Sequence, residues 1–235
     1  MIEPFRQVVK QLENAVRRLE AQTAPPKVVS FKHGKAWRYE EKTPQQALLQ
    51  KLARYVSGLN ASCLLLDHGY CQELGVIQRT LDEIEEDILF LSQGLDQGFT
   101  DKHERYLEHF WDEEAGPSTV RRDKIRAYVN GGLEDPSSAN DVGRKVYRTF
   151  SAYVHATSIT VIDMWSEAPA GFLMSGMLES PLYRDHLEDI WNSFFRGLVA
   201  GVFVAKAFND SELLNELLNA KRAFETDYAD KVMPV

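Results

Sequence analysis

Cysteine is scarce in this chain: Cys63 and Cys71 are the only two in 235 residues. They follow no spacing used by metal sites or disulfide frameworks. Two isolated thiols suit a reducing compartment, so a cytoplasmic location is expected. Long apolar runs are also missing. The longest, GLVAGVFVA, is closed by Arg196 and Lys206, whereas a bilayer span needs about 20 apolar residues. The opening MIEPFRQVVKQLENAV alternates like an amphipathic helix and is not a charged head before an apolar signal core. No membrane partner is expected. Positive charge is not in excess either, since the formal net charge is −8. That balance gives no general attraction to nucleic acid, so any RNA contact has to be local.

Several chemical signatures are absent as well. No histidine follows a glutamate by three residues, as a di-iron bundle requires. There is no HExxH zinc motif and no GxxxxGK[ST] phosphate loop. No metal and no cofactor is therefore expected. Strand patterning is confined to KVVSFKHGKAWRYEE, where alternation around His33-Gly34 predicts a short β-hairpin at 27–41.

What remains is helical periodicity on a chain that is 44% hydrophobic. Phe5, Val8, Val9, Leu12, Val16 and Leu19 mark a first helix. Pro44 opens a second, striped by Leu48, Leu52, Tyr55, Leu59, Cys63 and Leu66 and stopped at His68-Gly69. Leu74, Ile77, Leu81, Ile84, Ile88, Leu91 and Leu95 give the third the spacing of a bundle helix. Its other side, with Arg79, Asp82, Glu83, Glu86 and Asp87, reads as polar surface carrying an Arg79–Glu83 pair. A role for Glu83 or Glu86 in orienting Arg148 is the functional alternative.

Further helices are expected at 102–111, from near Ser118, and through GRKVYRTFSAYVHA. After His155 the chain reads as turns and short pieces around Pro169 and Gly171. Ser180-Pro181 signals a helix that becomes apolar all round at 194–208, and Asp210 caps a last one ending near Tyr228. Gly197, Gly201 and Ala205 form a small-residue stripe suited to close helix approach, with the helix bearing Ser151 and Ala152 as the expected partner. The expected fold is an all-α antiparallel bundle in one domain, 1–235. It divides into a helix and hairpin at 1–43, a bundle at 44–208 and a C-terminal helix at 209–230.

Chemistry concentrates on the GRKVYRTFSAYVHA helix. Val142, Val146, Phe150, Tyr153, Val154 and Thr157 share one arc, and Arg148 and His155 lie opposite, with Arg144 and Ser151 beside them. An imidazole that moves a proton at a 2′-hydroxyl and a guanidinium that grips the phosphate together suit metal-independent RNA cleavage. His155 stands near its helix C-terminus, where the dipole favours a cation. The plain alternative is a solvated or packed polar face. The cluster STVRRDKIRAY is the one concentration of positive charge. It reads as a solvated face, with Arg122 and Arg126 as the residues that would hold an RNA backbone.

Arg148-x6-His155 within YRTFSAYVH, together with GVIQRTLDEIEEDILFL on the earlier helix, resembles the HEPN superfamily of helical bundles, in particular its abortive-infection branch. The resemblance covers 44–208. It implies a ribonuclease site where two subunits meet, Arg148 and His155 as the catalytic pair, and a toxin or defence role with RNA and a cognate antitoxin as partners. Arg144, Ser151 and Thr149 would support the pair, Thr149 standing where the family often has Asn, Asp or His. The rival is a non-catalytic scaffold on the same bundle.

Overall fold

The computed structural model describes residues 2–31, 34–112, 114, 120–168 and 170–232. Helix dominates, as the periodicity predicts. In chain order the elements are α1 (Glu3–Ala21), β1 (Lys27–Phe31), β2 (Gly34–Arg38), α2 (Pro44–His68), α3 (Cys71–Gln97) and α4 (Asp101–Trp111). There follow α5 (Arg122–Val129), α6 (Pro136–Val154), α7 (Ser158–Val161), β3 (Trp165–Glu167), β4 (Ala170–Phe172), α8 (Tyr183–Ala207) and α9 (Ser211–Val232). Short 3-10 turns at 130–132 and 162–164 link α5 to α6 and α7 to β3.

Local chemistry sets the helix ends. The Thr43 hydroxyl accepts from the Gln46 amide at 3.2 Å, and the Gln46 side chain accepts from the Thr43 amide at 2.9 Å. This reciprocal cap satisfies two orphan donors just before Pro44. Gly69 closes α2 at φ +71°, a left-handed conformation that glycine adopts without a Cβ penalty. Asp210 caps α9 through the Leu213 amide at 3.0 Å. Its carboxylate also takes Nε and Nη2 of Arg18, both at 2.7 Å, tying α1 to α9.

The core lies among α1, α2, α3, α8 and α9, and α8 is its centre. Phe5 of α1 stacks on Phe194 of α8 at 4.5 Å between centroids and leans on Phe224 of α9. The small-residue stripe does admit close neighbours, but they come from elsewhere than expected. Gly197 faces Tyr55, Leu59 and Leu12, and Gly201 faces Leu12 and Leu217. The stripe receives α1, α2 and α9, not the helix of Ser151 and Ala152.

Three other expectations shift. The predicted hairpin forms with Val28 opposite Trp37, but a second appears, with Trp165 opposite Phe172 and their rings edge-to-face at 5.2 Å. Three residues per strand are too few for alternation to show in sequence. Helix α8 starts at Tyr183, because Ser180 and Pro181 are used in a turn whose Ser180 carbonyl accepts from the Tyr183 amide. Helix α5 starts at Arg122; Ser118, like His33 and Pro169, lies outside the described residues.

Candidate functional site

Helix α6 carries the predicted pair. The Asp135 carboxylate accepts from the Ser138 amide at 3.0 Å and Pro136 enters the first turn, which fixes the helix start. At the other end the His155 amide donates to the Ser151 carbonyl at 3.1 Å, and Ala156 at φ +46° turns the chain away. His155 is thus the last residue held by the helix, and it is exposed.

Arg148 is exposed too, and its guanidinium has no hydrogen bond or ion pair among the described residues. Helical side chains lean toward the N-terminus, so Arg148 leans toward Arg144. With Arg121, Arg122, Arg126, Arg144 and Tyr147 it lines a shallow groove of about 420 Å³. His155 is not part of that groove. Seven residues of helix rise, roughly 10 Å, separate the two backbones on one face. Within one chain the structure places Arg148 with the α5 arginines and His155 at the far end of the seam. Thr149 turns its hydroxyl back to the Lys145 carbonyl at 3.2 Å. Ser151 is half-buried, and Arg144 pairs with Asp141 at the surface.

The arginines of α5 divide. Arg121 faces outward, on Asp123 at 3.0 Å. Arg122 turns in, 2.6 Å from Asp87 and 3.0 Å from the Glu83 carbonyl. Arg126 is buried, with Nε and Nη2 both 2.6 Å from Glu86 Oε1. The face bearing Arg122 and Arg126 is therefore an anchored one, not a freely solvated one.

Their partners are the feature that sequence reasoning missed. The side of α3 read as polar surface buries Asp82, Glu86 and Asp87, and Glu85, not named in that reading, is buried beside them. Arg196 of α8 bonds Asp82 at 2.6 Å and also Glu85, while Lys51 of α2 reaches Asp87 at 2.6 Å. One signal was present in the sequence: Arg196 heads an all-apolar run, and a cation there needs a buried acid. Burial pushes Glu86 up to about 7, with Asp82 adding to it and Arg126 and Arg122 opposing. Burial also presses on Asp87, but Lys51 and Arg122 outweigh it and hold its carboxyl below the usual range. Arg79 stacks on the Tyr147 ring at 3.6 Å and pairs with Glu83, joining α3 to α6.

Between α3, α6 and α8 opens a cleft of about 660 Å³. Asp82, Glu85 and Glu86 form one wall, Val142, Val146 and Phe150 of α6 the other, and Lys145, Thr149, Asp189 and Asn192 also line it. The N-terminal part of the apolar arc of α6, Val142 to Phe150, thus faces this cleft, and none of the helix's residues is buried.

Among the described residues there is no group of three or more His, Cys, Asp or Glu able to hold a metal ion, and no helix long and apolar enough to cross a membrane. Cys63 and Cys71 are buried, and desolvation raises both thiols to about 11, so neither is a ready nucleophile at neutral pH. No family model, curated protein or solved structure matches this chain.

Proposed function

We propose that the exposed face of α6 binds RNA and cleaves it without a metal ion where two copies of the chain meet, in the manner of the HEPN-like bundles it resembles. One observation carries this reading. Arg148 is exposed and without an acidic partner among the described residues, in a groove of arginines, on the same helix face as an exposed His155.

The roughly 10 Å of helix between them is best bridged by symmetry. Two α6 helices packed antiparallel about a two-fold axis set each Arg148 beside the other copy's His155, and two-fold pairs are the commonest closed assembly. Val154 and, on the segment that follows His155 in the chain, Ile159, Ile162, Trp165, Phe172 and Met174 are exposed and supply apolar surface for such a contact. In the reaction, His155 takes the 2′-hydroxyl proton as that oxygen attacks phosphorus. The bond to the 5′-oxygen breaks, and the imidazolium returns the proton to that leaving oxygen. Arg148 holds the charge that develops on the phosphoryl oxygens. A toxin or defence setting, with an antitoxin as a further partner, follows from the resemblance.

The test is cleavage of RNA in EDTA by wild type, Arg148→Ala and His155→Ala, with light scattering for the dimer. Loss of a positioned charge costs about 10²–10³ in rate and of an acid–base group about 10²–10⁴, so each variant is expected to lose detectable cleavage and keep its helicity. Activity surviving both substitutions, or dependent on divalent metal, rules the assignment out. The same exposed apolar residues favour a second reading, a scaffold that binds another protein. An intact wild type without ribonuclease activity that forms a stable heterocomplex would point there.

A further inference from the structure

We infer that the cleft between α3, α6 and α8 is a binding site for a small organic cation with an apolar body, such as an aromatic or alkyl amine or amidine. This site meets the Arg148 groove only at Arg126, which lines both, and does not depend on the ribonuclease reading.

Two independent observations support it. The first is a surplus of acceptors. Asp82 and Glu86 line the cleft, are 5% and 6% exposed, and each keeps one carboxylate oxygen, Oδ2 and Oε2, without a hydrogen-bond partner. The neighbouring cations do not satisfy them: Arg196 bonds Oδ1 of Asp82 and also Glu85, Arg126 bonds Oε1 of Glu86 through Nε while its Nη2 also lacks a hydrogen-bond partner, and Arg122 stays 3.9 Å from Oε2. A buried acceptor left unsatisfied costs about 1–3 kcal/mol, so a ligand with N–H donors gains by reaching these oxygens. Asp189 adds a further carboxylate at the exposed rim. Lys145 is the opposing charge there, and it is exposed and screened by water.

The second observation is the opposite wall. An amphipathic helix of this length normally buries its apolar stripe, yet Val142 is 55% exposed and Val146 and Phe150 are only half-covered. The stripe faces the cleft rather than a packed neighbour. The volume, about 660 Å³, falls within the roughly 300–1,000 Å³ of small-molecule sites, which combine an apolar lining with a few convergent polar groups. An acid wall opposite an apolar wall selects a molecule with a cationic head and a flat or branched hydrocarbon body.

The test titrates the full chain calorimetrically at about pH 8.5, above the value of about 7 at which Glu86 takes up its proton, with benzamidinium and with benzamide as its neutral counterpart of the same shape. Saturable binding of benzamidinium is expected, at least about tenfold tighter than benzamide, the difference that charge-assisted hydrogen bonds provide. Glu86→Gln removes one acceptor charge and is expected to weaken binding by about tenfold or more. Val146→Trp fills the cleft from a half-exposed position, so it blocks binding without touching the buried ion pairs. Equal affinity for the two probes, unchanged binding in Val146→Trp, or no saturable binding by wild type would each overturn the proposal. So would self-association that disappears in Val146→Trp, because a second copy would then be the occupant.

Discussion

The ring of Tyr153 lies directly on Gly75. A Cβ built at position 75 would come within 2.4 Å of Tyr153 Cγ and 2.6 Å of Cδ1. This contact seats the C-terminal half of α6 on α3, and so sets the distance at which the N-terminal half stands off across the cleft. Alanine at 75 gains about 1 kcal/mol in helix propensity. The overpacking it creates costs about 1–3 kcal/mol, because an aromatic ring held between helices cannot yield. Gly75→Ala is expected to lower the urea midpoint, and adding Tyr153→Ala to recover part of the loss. An alanine variant as stable as wild type would show that α6 is not seated by this contact.

Glu86 predicts a pH dependence of stability. Its folded-state value, about 7 against an ordinary 4.5, means the native state binds the proton more tightly than the unfolded chain. This group therefore stabilises the fold most below about 4.5, and its contribution falls as pH rises to about 7. The charges facing it are Asp82 on its own helix, Arg122 and Arg126 from α5, Arg196 and Asp189 from α8 and Lys145 from α6. Buried His103 and His186 act in the opposite sense up to about 6.5, since burial lowers both and the unfolded chain binds their protons more tightly. Only the difference between wild type and Glu86→Gln isolates the glutamate. Relative to the variant, wild type is expected to lose about 1–3 kcal/mol between pH 5 and 8, roughly in proportion to the shift. A flat difference across that range would show that Arg126 keeps Glu86 ionised throughout.

Most helix positions, and the caps of α2 and α9, were readable because they depend on neighbours within one turn, whereas the Ser180-Pro181 start signal was spent on a turn before α8. Pro44, the Leu48-to-Leu66 stripe and Gly69 together determine α2 without reference to the rest of the chain. The ion pairs under α3 were not readable. A helical wheel places Asp82, Glu86 and Asp87 away from the leucines, but it cannot distinguish water from a guanidinium supplied from far along the chain. Arg122 lies 35 residues from Asp87, and Arg196 lies 114 from Asp82. The stripe of Gly197 and Gly201 shows the same limit: the absence of side chains announces a close approach, while the approaching helix is chosen by the topology. Arg148 and His155 could be placed on one helix face, but that Arg148 alone joins the α5 arginines in a groove could not be read, because it depends on where α5 docks.

Arg196 offers a direct measure of the buried network. Replacing it with methionine preserves most of its bulk and leaves Asp82 and Glu85 without their cation. Breaking a buried pair from one side costs about 3–5 kcal/mol, reduced here to about 2–4 because the guanidinium retains some contact with water. Arg196→Met is expected to unfold at a markedly lower temperature, and Asp82→Asn with Glu85→Gln in the same chain to restore much of the difference. If the neutral triple variant is no better than Arg196→Met alone, the loss comes from packing along α8 and not from stranded charge.

The arginines around Tyr147 separate structural from RNA-binding roles. Arg122 and Arg126 are held by Asp87 and Glu86, so alanine at either position is expected to cost stability, and reduced RNA binding there would be ambiguous. Arg121 and Arg144 pair only with close neighbours, Asp123 and Asp141, on exposed surface, where such pairs contribute about 0–1 kcal/mol. Alanine at Arg121, Arg144 or Arg148 should therefore leave the melting temperature nearly unchanged. If the groove carries an RNA backbone, each should weaken binding across unrelated sequences. Each should also reduce the slope of log affinity against log salt by about 0.7, the value for one lost phosphate contact on a single strand. A salt slope that stays constant through all three substitutions would remove the groove from the RNA path, and the RNA-binding assignment of Arg122 and Arg126 along with it.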